Sequence, residues 1–174
     1  MARRYFVMNS FDGCLTVMGI VMAFFIVGSD DPRSVIISTI GAAVAMGVSG
    51  LWGTYSIEKA ERIRDIGDLE KHLMRSLKNS KQRKKVNELS IVLAIINGLS
   101  PVVVSLLIII PFIFVSLPQA YYVSLGIIGV SLFMLGIFVG RIAKENIIIS
   151  GIKMILAGFL VGFIVIALEF VNVI

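Results

Sequence analysis

Residues 120–140 read AYYVSLGIIGVSLFMLGIFVG, a stretch without a single charged side chain. A helix rising about 1.5 Å per residue needs roughly 20 apolar residues to cross about 30 Å of hydrocarbon, and this stretch meets that length. A closed β-barrel is the other structure that satisfies every backbone group in lipid. Its strands would be short and alternate in polarity, whereas this run is continuous. The stretch is expected to be a transmembrane helix.

The pattern repeats on either side. Residues 147–171 follow after a short polar turn, and residues 89–117 precede across Pro118 and Gln119. Further upstream lie 35–57 and 5–28, separated by Asp30, Asp31 and Pro32. The 174-residue chain is 57% hydrophobic and 16% charged, with a mean hydropathy of +0.97. Soluble domains are about 45–50% apolar and about 25% charged, and so small a soluble fold has too little interior to hide this surface. The expected fold is an all-α polytopic membrane domain of five transmembrane helices. Helices one and two fall in 1–57, a polar helical segment in 58–87, and helices three to five in 88–174. Asn97, Gly98, Ser100 and Pro101 interrupt the third stretch, so the part before Asn97 is expected as a separate helix at or below the interface.

Orientation follows from the 16 Lys and Arg. With an odd number of spans, the N-terminus, the 58–87 segment and the 141–146 turn share one side. That side holds every basic residue except Arg33, which makes it cytoplasmic by the positive-inside rule and places the C-terminus outside. Arg3 and Arg4 could open a cleaved signal peptide, but the stretch that follows carries Asp12 and runs long. With no targeting extension in view, a prokaryotic plasma membrane is the expected location.

The lone cysteine, Cys14, excludes an intramolecular disulfide, and with the lone histidine, His72, it excludes zinc-finger spacing. Cys14 lies in an apolar segment, as a small buried thiol does. The net charge of +5 is laid out as membrane topology, with no nucleic-acid face. The run 81–85, KQRKK, attracts anionic lipid heads. Nothing in the chain has the form of a nucleophile–base set, a phosphate-cradling loop or paired intramembrane carboxylates, so an enzyme is not expected.

Asp12 is the residue most in need of a function. A carboxylate within a membrane helix costs roughly 2.5–3.5 kcal/mol on insertion scales and ordinarily faces a cavity, a partner or an ion. Its helix face reads Asn9, Asp12, Gly13, Thr16, Gly19 and Ala23, small and polar. Small residues recur at spacings of three or four in Ala42, Ala45, Ser49, Gly53 and Ser56, and as Gly136-x-x-x-Gly140 and Gly158-x-x-x-Gly162. Such spacing lets helix backbones approach closely, within one chain or between two.

Continued as a helix, the segment after the second span sorts into faces. Glu58, Glu61, Asp65, Asp68 and His72 share one stripe, and acidic neighbours at i,i+3 and i,i+4 repel. Oxygen and imidazole ligands suit iron, manganese or zinc, so the stripe is a candidate for gathering a divalent cation. Arg62, Arg64 and Lys71 stand near enough to pair with the same carboxylates. There is also a faint internal repeat. Residues 11–16 echo 96–101, and Gly47-Val48-Ser49 echoes Gly129-Val130-Ser131, an arrangement common in transporters.

Together these residues resemble the vacuolar iron transporter family, whose members have five membrane helices and a first helix opening with Asp-Gly-x-x-Thr. Asp12-Gly13-Cys14-Leu15-Thr16 matches that motif. Gly98, Pro101 and Pro111-Phe112 resemble the family's third helix, and Gly140-Arg141 with Ser150-Gly151-Ile152-Lys153-Met154 and Gly158 resembles its junction of helices four and five. The resemblance implies proton-coupled export of a divalent metal ion from the cytoplasm by a homodimer in a lipid bilayer, the ion being substrate with no tightly bound cofactor. Asp12, Thr16, Ser49 and Asn97 would then line the pathway, and Asp12, Met46, Glu58, Glu61, Asp65, Asp68 and His72 would be metal ligands. Two departures stand out. The family's second helix has Met after Ser and Glu after Gly, where this chain has Ser49-Gly50 and Gly53-Thr54. The cytoplasmic segment is also too short for a full three-helix metal-binding domain.

Overall fold

The computed structural model describes residues 2–74 and 81–171. Six helices follow in order: α1 (Ala2–Ile26), α2 (Pro32–Leu73), α3 (Lys81–Ile109), α4 (Pro111–Phe114), α5 (Gln119–Ala143) and α6 (Ile147–Phe170). Five candidate spans emerge, because α3 and α4 together form the third. The described chain is helical throughout, as the continuous apolar runs require.

The end of the bundle carrying Arg3, Arg4 and Arg141 is the basic end. Here α2 does not stop at the membrane. Its 42 residues make a rod of roughly 63 Å, about twice the hydrocarbon thickness, so the stretch from Glu58 onward projects beyond it. Met74 closes this helix in the left-handed conformation, φ 47°. The start of α3 runs back beside it, with Val86 buried at its root. Residues 75–80 and the side chains of Leu73 and 81–84 lie outside the described residues, and with them most of the basic run 81–85.

The third span corrects the expectation of a break. Residues 81–109 form one helix that passes through Asn97 and Pro101. Proline removes the N–H that would bond the carbonyl four residues earlier, here that of Asn97, and the helix nevertheless continues through it. Ser100 Oγ donates to Ile96 O, and Ser105 Oγ donates to Pro101 O at 2.7 Å.

Small residues set the seams. At Gly136 an added Cβ would stand 2.5 Å from Gly151 Cα and 2.6 Å from Ser150 O. α5 and α6 therefore touch backbone to backbone, joined by the turn that Asn146 caps by accepting from Ile148 N at 3.0 Å. Gly158 meets Leu132 and Met18, and Gly162 meets Met18. Both glycine pairs thus serve contacts within the chain. α2 and α3 close in the same way, with Gly98 against Leu51 and the Gly47 carbonyl.

The bundle is layered along the membrane normal. Toward the end opposite the basic one, Val21, Val35, Ile108, Phe112, Ala120 and Tyr121 are buried together. The Phe112 and Tyr121 rings meet edge to face at 5.1 Å, and Tyr121 OH donates to Ser29 O at 3.0 Å, tying α5 to the first loop. Toward the basic end, Thr54, Glu58 and Asn97 are buried instead.

Candidate functional site

Tyr5, Asn9, Asp12 and Thr16 follow one another along α1 at spacings of four, three and four, so they form a single stripe. Asp12 and Thr16 are exposed on the surface of the chain, while Gly13 and Cys14 beside them are buried. Asp12 lies about 21 Å along the helix from Ile26, on the basic side of the span's middle. A carboxylate thus stands on an open face at membrane depth.

The stripe's basic half is tied to its neighbours. Tyr5 OH donates to Glu58 Oε1 at 2.7 Å, and Glu58 Oε2 accepts from Arg62 Nε at 3.1 Å with Arg62 Nη2 at 2.9 Å. One turn further along α1, Asn9 Nδ2 donates to Asn97 Oδ1. Asn97 Nδ2 in turn donates to Thr54 Oγ1 at 2.5 Å and to Gly50 O at 3.3 Å. Three helices meet in this network. The site is a polar track that begins among carboxylates at the basic end, passes Tyr5 and Asn9, and reaches Asp12.

The sequence-predicted residues divide accordingly. Asp12 and Thr16 share the track, and Ser49 is exposed on α2. Asn97 is 7% exposed, bonded to both neighbouring helices. Met46 is half-buried on α2. Of the acidic stripe, Glu58 is 4% exposed and held by Tyr5 and Arg62. Glu61, Asp65, Asp68 and His72 are exposed along the projecting part of α2. Asp68 pairs with Lys71 at 3.2 Å, and His72 Nδ1 sits 2.7 Å from Asp68 O. Among the described residues, no three His, Cys, Asp or Glu side chains come together as a metal site. Any gathering by this stripe is therefore by field along a face.

Tyr5 and Thr54 are the site residues that spacing did not single out. The signal for Tyr5 was present, since it lies four residues before Asn9. Its partner Glu58 is 53 positions away, and only the fold brings them together. A cavity of about 540 Å³ lies elsewhere, between α1, α5 and α6. Met18, Met22, Leu132, Phe159 and Phe163 line it, so it is apolar and apart from the track.

Five apolar spans and a helix projecting from the basic end define a polytopic membrane protein. A family model described as the VIT family matches residues 57–168. An uncharacterized protein of Methanocaldococcus jannaschii is 36% identical over 169 residues, covering 95% of this chain and 87% of its own length. The chain belongs to the VIT family, the vacuolar iron transporters, and metal-ion transport is that family's activity. No solved structure matches it significantly.

Proposed function

We propose that this protein carries a divalent cation of the Fe²⁺ or Mn²⁺ kind out of the cytoplasm in exchange for protons, along a passage completed by a second copy of the chain. The observation that carries the reading is the place of Asp12. An ionised carboxylate facing acyl chains at that depth is costly, and within one protomer this one has no cover. A homodimer with the two Asp12 stripes facing each other removes the carboxylates from lipid and makes a hydrophilic route of them. The basic end then faces the cytoplasm, as the positive-inside rule requires, with a plasma membrane as the host bilayer. Glu61, Asp65, Asp68 and His72 concentrate the cation there. The track through Tyr5 and Asn9 delivers it to Asp12, whose carboxyl group alternates between metal and proton.

The test is flux into proteoliposomes loaded with a metal-sensitive dye. Asp12→Asn keeps the shape and the hydrogen-bonding capacity and removes the charge, so it should reduce Mn²⁺ flux at least tenfold. Equal flux in the variant and the parent protein would exclude this role for Asp12.

A second reading has one observation in its favour. At Gly50 an added Cβ would stand 3.2 Å from Asn97 O and from Gly98 Cα, so the α2–α3 seam is shut where the family's second helix has a methionine. A scaffold that kept the fold without transport would fit that closure. Calorimetric titration of the purified protein distinguishes the two, because the scaffold binds none of Fe²⁺, Mn²⁺, Co²⁺ or Zn²⁺ at micromolar concentration.

A further inference from the structure

We propose that Asn97 is a positioning residue for transport, fixing the rotation of α1 through Asn9 so that Asp12 stays on the open face. The inference rests on the reading that Asp12 serves the cation, and it concerns how that residue is aimed.

Apolar packing holds a membrane helix near its neighbours but is weak at fixing its roll, because one aliphatic contact substitutes readily for another. With 3.6 residues per turn, one residue of roll is about 100°, enough to turn Asp12 from the open face into the bundle. Two features next to Asp12 resist this. Three residues before it, Asn9 donates to Asn97 Oδ1. One residue after it, Gly13 lies so close to α3 that an added Cβ would stand 3.0 Å from Pro101 Cα. The first is directional and the second is a close fit, and both engage α3 within a single turn.

Asn97 can act as the fixed point because its own side chain is held. Its Nδ2 donates to Thr54 Oγ1 and to Gly50 O, both on α2. Behind it, Gly98 packs against Leu51 and the Gly47 carbonyl. One amide therefore refers α1 to the α2–α3 seam. A simple helix glue would need only one such bond, whereas this amide joins three helices beside the one intramembrane carboxylate of α1.

The test uses the full-length protein in proteoliposomes, with Thr16→Cys as reporter, since Thr16 is exposed one turn beyond Asp12 on the same face. Cys14 is fully buried and silent to the reagent. Labelling by a membrane-impermeant maleimide in the Thr16→Cys background reads the aim of the face, and Mn²⁺ flux of the same variants with Thr16 intact reads its use. Asn97→Leu should lower both at least fivefold. Asn9→Leu should do the same, and the double variant should be no worse than either single one, since both remove one link. Unchanged labelling in a folded Asn97→Leu protein overturns the proposal, as does a double variant whose losses multiply. If Asn97→Leu does not fold, Asn9→Leu with normal labelling overturns it alone. Normal flux in Asp12→Asn would sink the transport reading while leaving the labelling result to decide the aim of α1.

Discussion

Gly136 and Gly126 lie on the same helix and differ only in what stands opposite. A methyl group on Gly136 would meet the backbone of α6 at 2.5 Å, while nothing lies within 4 Å of the same position on Gly126. Backbone cannot yield as a flexible side chain can, so Gly136→Ala should cost about 1–3 kcal/mol through overpacking. Gly126→Ala should be neutral or gain up to about 1 kcal/mol from helix propensity. Thermal unfolding of the two variants in the same detergent checks this, and a stable Gly136→Ala would mean that the α5–α6 seam is looser than described. The small-residue spacing was legible in the sequence. Which glycine met backbone and which met open space was not, because a sequence shows the gap and not the neighbour that fills it.

At the scale of elements, α2 shows what periodicity conveys and where it stops. The 3.6-residue rhythm continues the second helix beyond its apolar run, as α2 does to Leu73, and sets Glu58, Glu61, Asp65 and Asp68 at spacings of three and four. It could not show that Glu58 turns inward to Tyr5 while the others stay exposed, since that depends on where α1 begins in space. The interruption at Asn97–Pro101 misled for the opposite reason. Proline in water ends helices, but in a lipid-surrounded bundle the backbone has no better partner than the helix itself, and α3 continues. Two predictions belong at this scale. Replacing Glu61, Asp65 and Asp68 together by Asn or Gln should raise the KM for Mn²⁺ severalfold with kcat little changed, as removal of uniform binding does. A fall in kcat with KM constant would contradict a gathering role. At the other end of α2, Asp31 accepts from Arg33 N at 3.0 Å and Ser34 N at 3.2 Å and from Ser34 Oγ at 2.6 Å. These bonds, the Ser34 hydroxyl first, hold its carboxyl below the usual carboxylate range. A group with a lowered pKa in the fold contributes stability above its unfolded value, near 3.9, and loses it as the pH falls through the folded value. Stability conferred by Asp31 should therefore be constant at neutral pH and vanish below about pH 4. The difference in unfolding midpoint between the parent protein and Asp31→Ala should shrink to nothing over that interval.

For the whole molecule, layering and charge lead to one geometry. The buried polar network and, among the described residues, nearly all basic side chains share one end, while the other is closed by aromatic and aliphatic side chains around Phe112 and Tyr121. Beyond Thr16 the polar stripe of α1 gives way to Gly19 and Ala23. The hydrogen-bonded part of the track therefore lies toward the basic end, the end from which the proposed cation would load. Loading from the cytoplasm then requires the basic end to be inside, and that is open to direct measurement. Ser29→Cys marks the loop at the closed end and Lys144→Cys the turn at the basic end, with buried Cys14 contributing no signal. In intact cells an impermeant maleimide should label Ser29→Cys at once and Lys144→Cys only after lysis. The reverse pattern would turn the molecule over, so that the same track would load from outside, and import would replace export with no change in any contact described above.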